Sequence, residues 1–238
     1  MTDTITAKIP FRQLFTGLLR NWSAAEILFT VSVCAAVVLL TIRTGGDDLT
    51  GIVSALTGIL YTLLAGKGKP ACYLFGIINS ALYGFIAYSS TIYGDMLLNW
   101  AYYLPMQFAG LFFWLRNLQP ETGEVKRRHL TLPGKLITAA LTTAGWITFA
   151  VFLKLTGDAA PYLDSATTII SITAMVLGIM RCFEQWIGWT LVNALSIWMW
   201  WNIYSSRGDS IATLLMWCVF LICGIIFAVQ WYRESTDQ

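Results

Sequence analysis

The sequence predicts an all-α integral membrane protein of eight transmembrane helices: two parallel three-helix repeats joined by a linker helix, plus one extra N-terminal helix. Three observations predict it. Hydrophobic residues make up 57% of the chain and charged residues only 12%, against ~25% charged in soluble domains. The charges collect between apolar runs long enough to cross a bilayer. Asn79 and Asn193 hold matching places in two halves of the chain, as a duplicated helical unit would leave them.

Each element follows in order. Residues 1–24 carry no secretory signal, because Lys8, Arg12 and Arg20 interrupt the apolar positions Ile9, Phe11, Leu14, Phe15, Leu18 and Leu19. They read as an amphipathic segment on the cytoplasmic surface. The extra transmembrane helix occupies 25–45, apolar over 26–43. The first repeat, 50–116, holds spans at 50–66, 70–91 and 96–116; its breaks are Gly45-Gly46-Asp47-Asp48 before it, then Lys67-Gly68-Lys69-Pro70 and Gly94-Asp95. A basic cytoplasmic loop, 117–134, leads to the linker helix, 135–157, apolar over 135–156. Gly157-Asp158 and Pro161 precede the second repeat, 163–232, with spans at 163–182, 184–206 and 210–232 broken at Gly208-Asp209, and a tail over 233–238.

Loops this short make neighbouring spans antiparallel. One side of the membrane then collects 12 of the 15 Lys and Arg residues, leaving Arg43, Lys154 and Arg207 on the other. The richer side, with Lys126-Arg127-Arg128, is cytoplasmic by the positive-inside rule. Both termini are therefore expected in the cytoplasm, with the chain multi-pass in the cytoplasmic (inner) membrane.

The repeats align at an offset of 114, Asn79 on Asn193 and Gly94-Asp95 on Gly208-Asp209; Trp100 and Trp114 then match Trp217 and Trp231 once three residues are inserted. Four spans separate the repeats, an even number, so both insert the same way up about an axis along the membrane normal. Gly94 and Gly208 are candidate hinges, and a tight antiparallel turn explains them equally well.

The seventh span carries the sharpest local signal. At helical spacing, Trp186, Trp189, Asn193, Ser196 and Trp200 share one stripe, with three indoles flanking a carboxamide. An Asn in hydrocarbon must find partners, so this stripe is expected to face the bundle interior or a watered cavity. The third span places Cys72, Phe75, Asn79, Tyr83 and Ile86 on one stripe, and the fourth places Trp100, Tyr103, Gln107 and Trp114 on another, with Pro105 among them. That proline leaves the carbonyl of Ala101 without its donor, which is tolerable in a helix that lines a cavity. Asn79, Gln107 and Asn193 lie near the midpoints of their spans, a common depth that points to one shared site. Carboxamides also serve as glue between transmembrane helices. For Trp100, Trp114, Trp217 and Trp231, near span ends, interface anchoring competes evenly with ligand contact.

Composition excludes other chemistries. A net charge of +2 spread over loops is no nucleic-acid footprint. Cys34, Cys72, Cys182, Cys218 and Cys223 fall in apolar spans without metal-finger spacing and read as small hydrophobes, so no metal and no cofactor is expected. His129 reads as a solvated loop residue. No Asp, Glu, Lys or Arg is central in a span, which removes an obvious ion-coupling site and any counter-charge for a phosphorylated cargo. An unphosphorylated polar molecule with a flat, preferably cationic, ring fits aromatic walls and carboxamides. An intramembrane enzyme would need a nucleophile with a base or a metal motif, and Ser171 and Thr173 have no His in the membrane beside them. The chain therefore reads as a carrier and not an enzyme; a receptor that binds without flux is the other class.

Trp186-x-x-Trp189-x-x-x-Asn193 with Trp198, Trp200 and Trp201, together with Asn99-Trp100 and Tyr103-x-Pro105-Met106-Gln107, resembles the PnuC family of bacterial vitamin-precursor transporters over roughly residues 50–232. That family is similar to the SWEET sugar transporters, which also use a central asparagine pair, matched here by Asn79 and Asn193. The resemblance implies nicotinamide riboside as cargo, with thiamine or riboflavin as alternatives carried by related subfamilies. It implies facilitated diffusion driven by cytoplasmic phosphorylation, and a homotrimer with one pathway per protomer. On this reading the expected substrate contacts are Asn79, Gln107, Asn193, Trp186, Trp189, Trp200, Tyr103, Phe75, Tyr83 and Trp100. The first span departs from the seven-helix core and looks like an N-terminal addition.

Overall fold

The computed structural model describes residues 18, 20–44, 49–156, 161–208 and 210–236. Nearly all of the expected amphipathic segment, the breaks at 45–48 and 157–158, Asp209 and the end of the tail lie outside the described residues. The described residues are helical apart from loops and one small hairpin: α1 Ala24–Thr44, α2 Leu49–Gly66, α3 Cys72–Ser89, α4 Tyr93–Leu97, a π-turn Leu98–Tyr103, α5 Leu104–Leu115, β1 Leu118–Gln119, β2 Glu124–Val125, α6 Leu132–Leu155, α7 Pro161–Ile179, α8 Gln185–Arg207 and α9 Ile211–Thr236.

Six helices, α1, α2, α3, α6, α7 and α9, are long and apolar enough to cross a membrane. The other two expected spans form as helix but fall outside that group for a physical reason. One is broken into α4, π-turn and α5, and the other, α8, carries Gln, Asn, Ser, Trp and Tyr side chains in place of aliphatic ones.

Local chemistry sets the boundaries. At α1 the Ser23 hydroxyl accepts from the Glu26 amide (3.2 Å) while the Glu26 carboxylate accepts from the Ser23 amide (2.7 Å), a reciprocal capping box. Thr131 caps α6 through Gly134 N (3.3 Å), with Pro133 in the first turn. The π-turn sits just before Pro105, where Leu104 N donates five residues back to Asn99 O. A proline without a donor relaxes the helix into this wider turn.

The packing is reciprocal. α2 pairs with α3 and α7 with α8, while α9 lies against α2 and α5 against α7. At the basic end Trp114, closing α5, donates to Gly178 O in α7 (3.0 Å), and Trp231, in α9, donates to Gly66 O at the end of α2 (2.6 Å). Both indoles are fully buried, their rings 6.3 Å apart. Trp114 and Trp231 are thus interior residues that lie off the central cavity's lining. Among the described residues α6 packs chiefly on α7, and α1 on α2 and α9, so both present long apolar faces outward.

The sequence places the three-residue insertion after the Gly-Asp pairs, but the turns put it earlier. Gly68 and Arg181, 113 apart, both take left-handed conformations (φ 68° and 64°) where α2 and α7 end. Thr91 (φ 64°) and Gly208 (φ 75°), 117 apart, do so where α3 and α8 end. Gly208 therefore corresponds to Thr91, and Gly94 lies inside α4. The extra residues are absorbed by α8, which is 23 residues long against 18 for α3. The matching Gly-Asp dipeptides are not equivalent positions.

The basic loop is not a solvated connection. Val125 N donates to Gly68 O (2.8 Å), Arg128 N to Arg181 O (2.9 Å) and Phe183 N to Arg128 O (2.9 Å), so β2 and the residues after it tie together the turns that follow α2 and α7. Arg127 is buried over the Trp231 ring and pairs with Glu124 and Glu234. Lys69 is 1% exposed near Glu124 (3.9 Å); burial pulls its pKa below the ordinary range, with Glu124 opposing. Cys182 lies in this bridged turn and not in a span; burial pushes its thiol up to about 11. His129 is exposed, its Nδ1 3.1 Å from Ser235 O.

Candidate functional site

α2, α3, α5, α7, α8, α9 and the π-turn enclose a central cavity. Asn79, Gln107, Asn193, Trp186, Trp189, Tyr83 and Tyr103 all line it. Three of the expected contacts lie elsewhere. Trp200 is fully buried behind Tyr83, to whose hydroxyl its indole N–H donates (2.8 Å). Phe75 packs half-buried against the core. Trp100 is 40% exposed on the outer surface, lies across Gly84 and donates to Ala81 O (3.1 Å). The π-turn explains Trp100: its wider winding turns that residue away and brings Asn99, 6% exposed, to the cavity wall.

The polar groups differ in what they still offer. The Asn79 side-chain N–H donates to Ser54 O (2.8 Å), so this amide already joins α3 to α2. Gln107 and Asn193 are each 4% exposed. Gln107 Oε1, Gln185 Nε2, Trp186 Nε1 and Trp217 Nε1 are buried with no hydrogen-bond partner among the described residues, and all four residues line this cavity. Unpaired buried polar atoms are costly, and four around one space offer three donors and one acceptor to a ligand. Gly76 gives Gln107 its place: a Cβ there would overlap the Gln107 carboxamide.

The rest of the wall is aromatic. The rings of Tyr103 and Trp189 stand 6.0 Å apart at 51°, and Trp186 is wedged between Phe227 and Trp231 at 5.2 and 5.8 Å. No Asp, Glu, Lys, Arg or His appears among the lining residues. Tyr61, Gln185 and Met216 also line the cavity without having been singled out, and so do Asn99 and Trp217, which the sequence marked but did not place among the expected substrate contacts. Gln185 and Asn99 lie at helix boundaries, where a polar residue signals an end as readily as a site. For Trp217 its match to Trp100 was the available signal, and of the two only Trp217 faces the cavity.

A sequence profile for the nicotinamide mononucleotide transporter family matches residues 48–233. The nicotinamide riboside transporter PnuC of Neisseria mucosa is 34% identical over 93% of this chain and 84% of its own length. Its namesake from Haemophilus influenzae is 32% identical over 90% and 92%, and that of Escherichia coli 28% over 70% and 80%. Among solved structures, one titled the vitamin B3 transporter PnuC superposes with a TM-score of 0.84 at 31% identity, covering 94% of this chain and 97% of its own. With the family profile matched over most of its length, and multi-pass relatives sharing its fold, the chain belongs to the nicotinamide mononucleotide transporter family.

Proposed function

We propose that this chain carries nicotinamide riboside into the cell by facilitated diffusion, with cytoplasmic phosphorylation trapping the product. The observation that carries the proposal is a cavity whose wall holds four unpartnered buried polar atoms and aromatic faces but no charged residue. The riboside's amide and ribose hydroxyls suit the carboxamides and indole N–H groups, and its cationic ring suits the faces of Trp186, Trp189 and Tyr103. A mononucleotide would bring a phosphate dianion to a wall without Lys or Arg, so the unphosphorylated form is favoured. The same reasoning makes phosphorylation a one-way step.

The architecture is eight crossings, three, one and three plus α1, in the cytoplasmic membrane. The reciprocal indole bonds at Gly66 and Gly178 support the paired repeats. The basic end, carrying Lys67, Lys69, Arg127, Arg128 and Arg181, faces the cytoplasm. A homotrimer with one pathway per protomer belongs to the proposal through the family resemblance.

The test is titration calorimetry on purified protein, with thiamine, riboflavin and nicotinamide mononucleotide as competitors. Binding of the riboside that its phosphate does not displace is expected. Preference for thiamine or riboflavin would keep the carrier and change the cargo. Gly76→Ala is expected to swing the Gln107 carboxamide out of place and weaken riboside binding about tenfold, the loss of roughly one good hydrogen bond. Helix content by circular dichroism should stay unchanged.

A further inference from the structure

A second cavity adjoins the first at the end where α4 and α7 begin, opposite the basic turns. Its lining includes Asp95, in the first turn of α4, and Asp164, in the first turn of α7, and no Lys, Arg or His among the described residues. The two cavities share a wall, because Tyr83, Asn99, Tyr103 and Trp217 line both. Passage between them runs through that layer. Its central member, Tyr83, is 3% exposed and is held at its hydroxyl from two sides: Trp200 Nε1–H donates to it (2.8 Å), and it donates to Asp95 Oδ2 (2.9 Å). The Tyr83 ring also meets the Trp217 ring edge-on at 5.9 Å.

Resting on the reading that the cargo is a cationic riboside entering from the side opposite the basic turns, we propose that Tyr83 is the outer gate of the central cavity and that Asp95 makes this gate selective for cations. A cation in the outer cavity competes with the Tyr83 hydroxyl for the Asp95 carboxylate. As the carboxylate turns to the cation, Tyr83 loses its acceptor, and the ring is released to swing and open the layer. A neutral molecule of the same shape offers no such exchange. A phosphorylated one meets two carboxylates of its own sign.

The experiment compares uptake into proteoliposomes of nicotinamide riboside and of its reduced dihydropyridine form, which is neutral. Asp95→Asn is expected to raise KM for the cationic form about tenfold, the scale of one partly solvated charge contact, and to leave the neutral form nearly unchanged. Asp95→Glu, which keeps the charge, should restore the preference. Equal loss for both forms, or an unchanged ratio, would overturn the charge filter. The gate has its own readout, labelling of Ser80→Cys, which lines the central cavity alone, by an impermeant thiol reagent added outside. The five native cysteines of the parent chain set the background. Adding Tyr83→Ala should speed that labelling at least about threefold, and an unchanged rate would overturn the gate. If the wild type carried neither form, the cargo reading would fail together with the charge filter, and the labelling would still decide the gate.

Discussion

Binding of nicotinamide riboside is expected to fall about a hundredfold when Gln107 and Asn193 are both replaced by Leu. Each carboxamide is buried on the cavity wall, and Leu keeps its bulk while removing every donor and acceptor. A ligand group that gave up water to meet the carboxamide then meets hydrocarbon, at ~1–2 kcal/mol per contact, so the pair reaches the hundredfold scale. Asn79→Ala is expected to behave differently. Its N–H is already spent on Ser54 O across α2 and α3, so the larger effect should be a lower Tm, with a smaller loss of affinity. Calorimetry for binding and a thermal melt in detergent check both. If Asn79→Ala removed as much affinity as the double variant at unchanged Tm, the division between ligand groups and helix glue would be wrong.

That division shows which parts of the site could be read from sequence. An Asn or Gln in the middle of an apolar run has few physical outcomes, so Asn79, Gln107 and Asn193 were expected together and do line one cavity, though the Asn79 bond to Ser54 O was not legible. The Trp186, Trp189, Asn193 stripe held because α8 is regular helix through those positions. Trp100 did not hold, since a 3.6-residue stripe assumes an unbroken helix and the π-turn upstream of Pro105 changes the winding. The proline was visible; the way the backbone relaxed around it was not. Phe75 fell on the Asn79 stripe yet packs into the core, because spacing gives the face of a helix but not how far along it the cavity extends. Asp95 was read as loop from its glycine neighbour. Only the fold brings Tyr83 to it from α3 and Trp200 to Tyr83 from α8. The basic loop's charges were legible as a topological signal, whereas its strapping of the two turns depends on backbone hydrogen bonds that no side chain announces.

Replacing Trp114 and Trp231 together by Phe is expected to lower Tm by several degrees, each single variant contributing a comparable part. Phe retains most of the aromatic packing, so the change isolates the two indole N–H groups. Their removal leaves Gly178 O and Gly66 O short of a donor in a dry interior, at ~1–3 kcal/mol each. The two bonds are reciprocal: α5 holds the end of α7, and α9 holds the end of α2. The rings also touch one another, and Trp231 in turn supports Trp186 on the cavity wall. Loosening at the basic end should therefore reach the site. In a double-mutant cycle read by thermal melts, a coupling beyond ~0.5 kcal/mol is expected, since contacting residues that share one closure do not act independently. Additive losses would mean two separate helix-end bonds that happen to lie side by side. A coupled loss would mean a single clasp that joins α2, α5, α7 and α9 at the basic end.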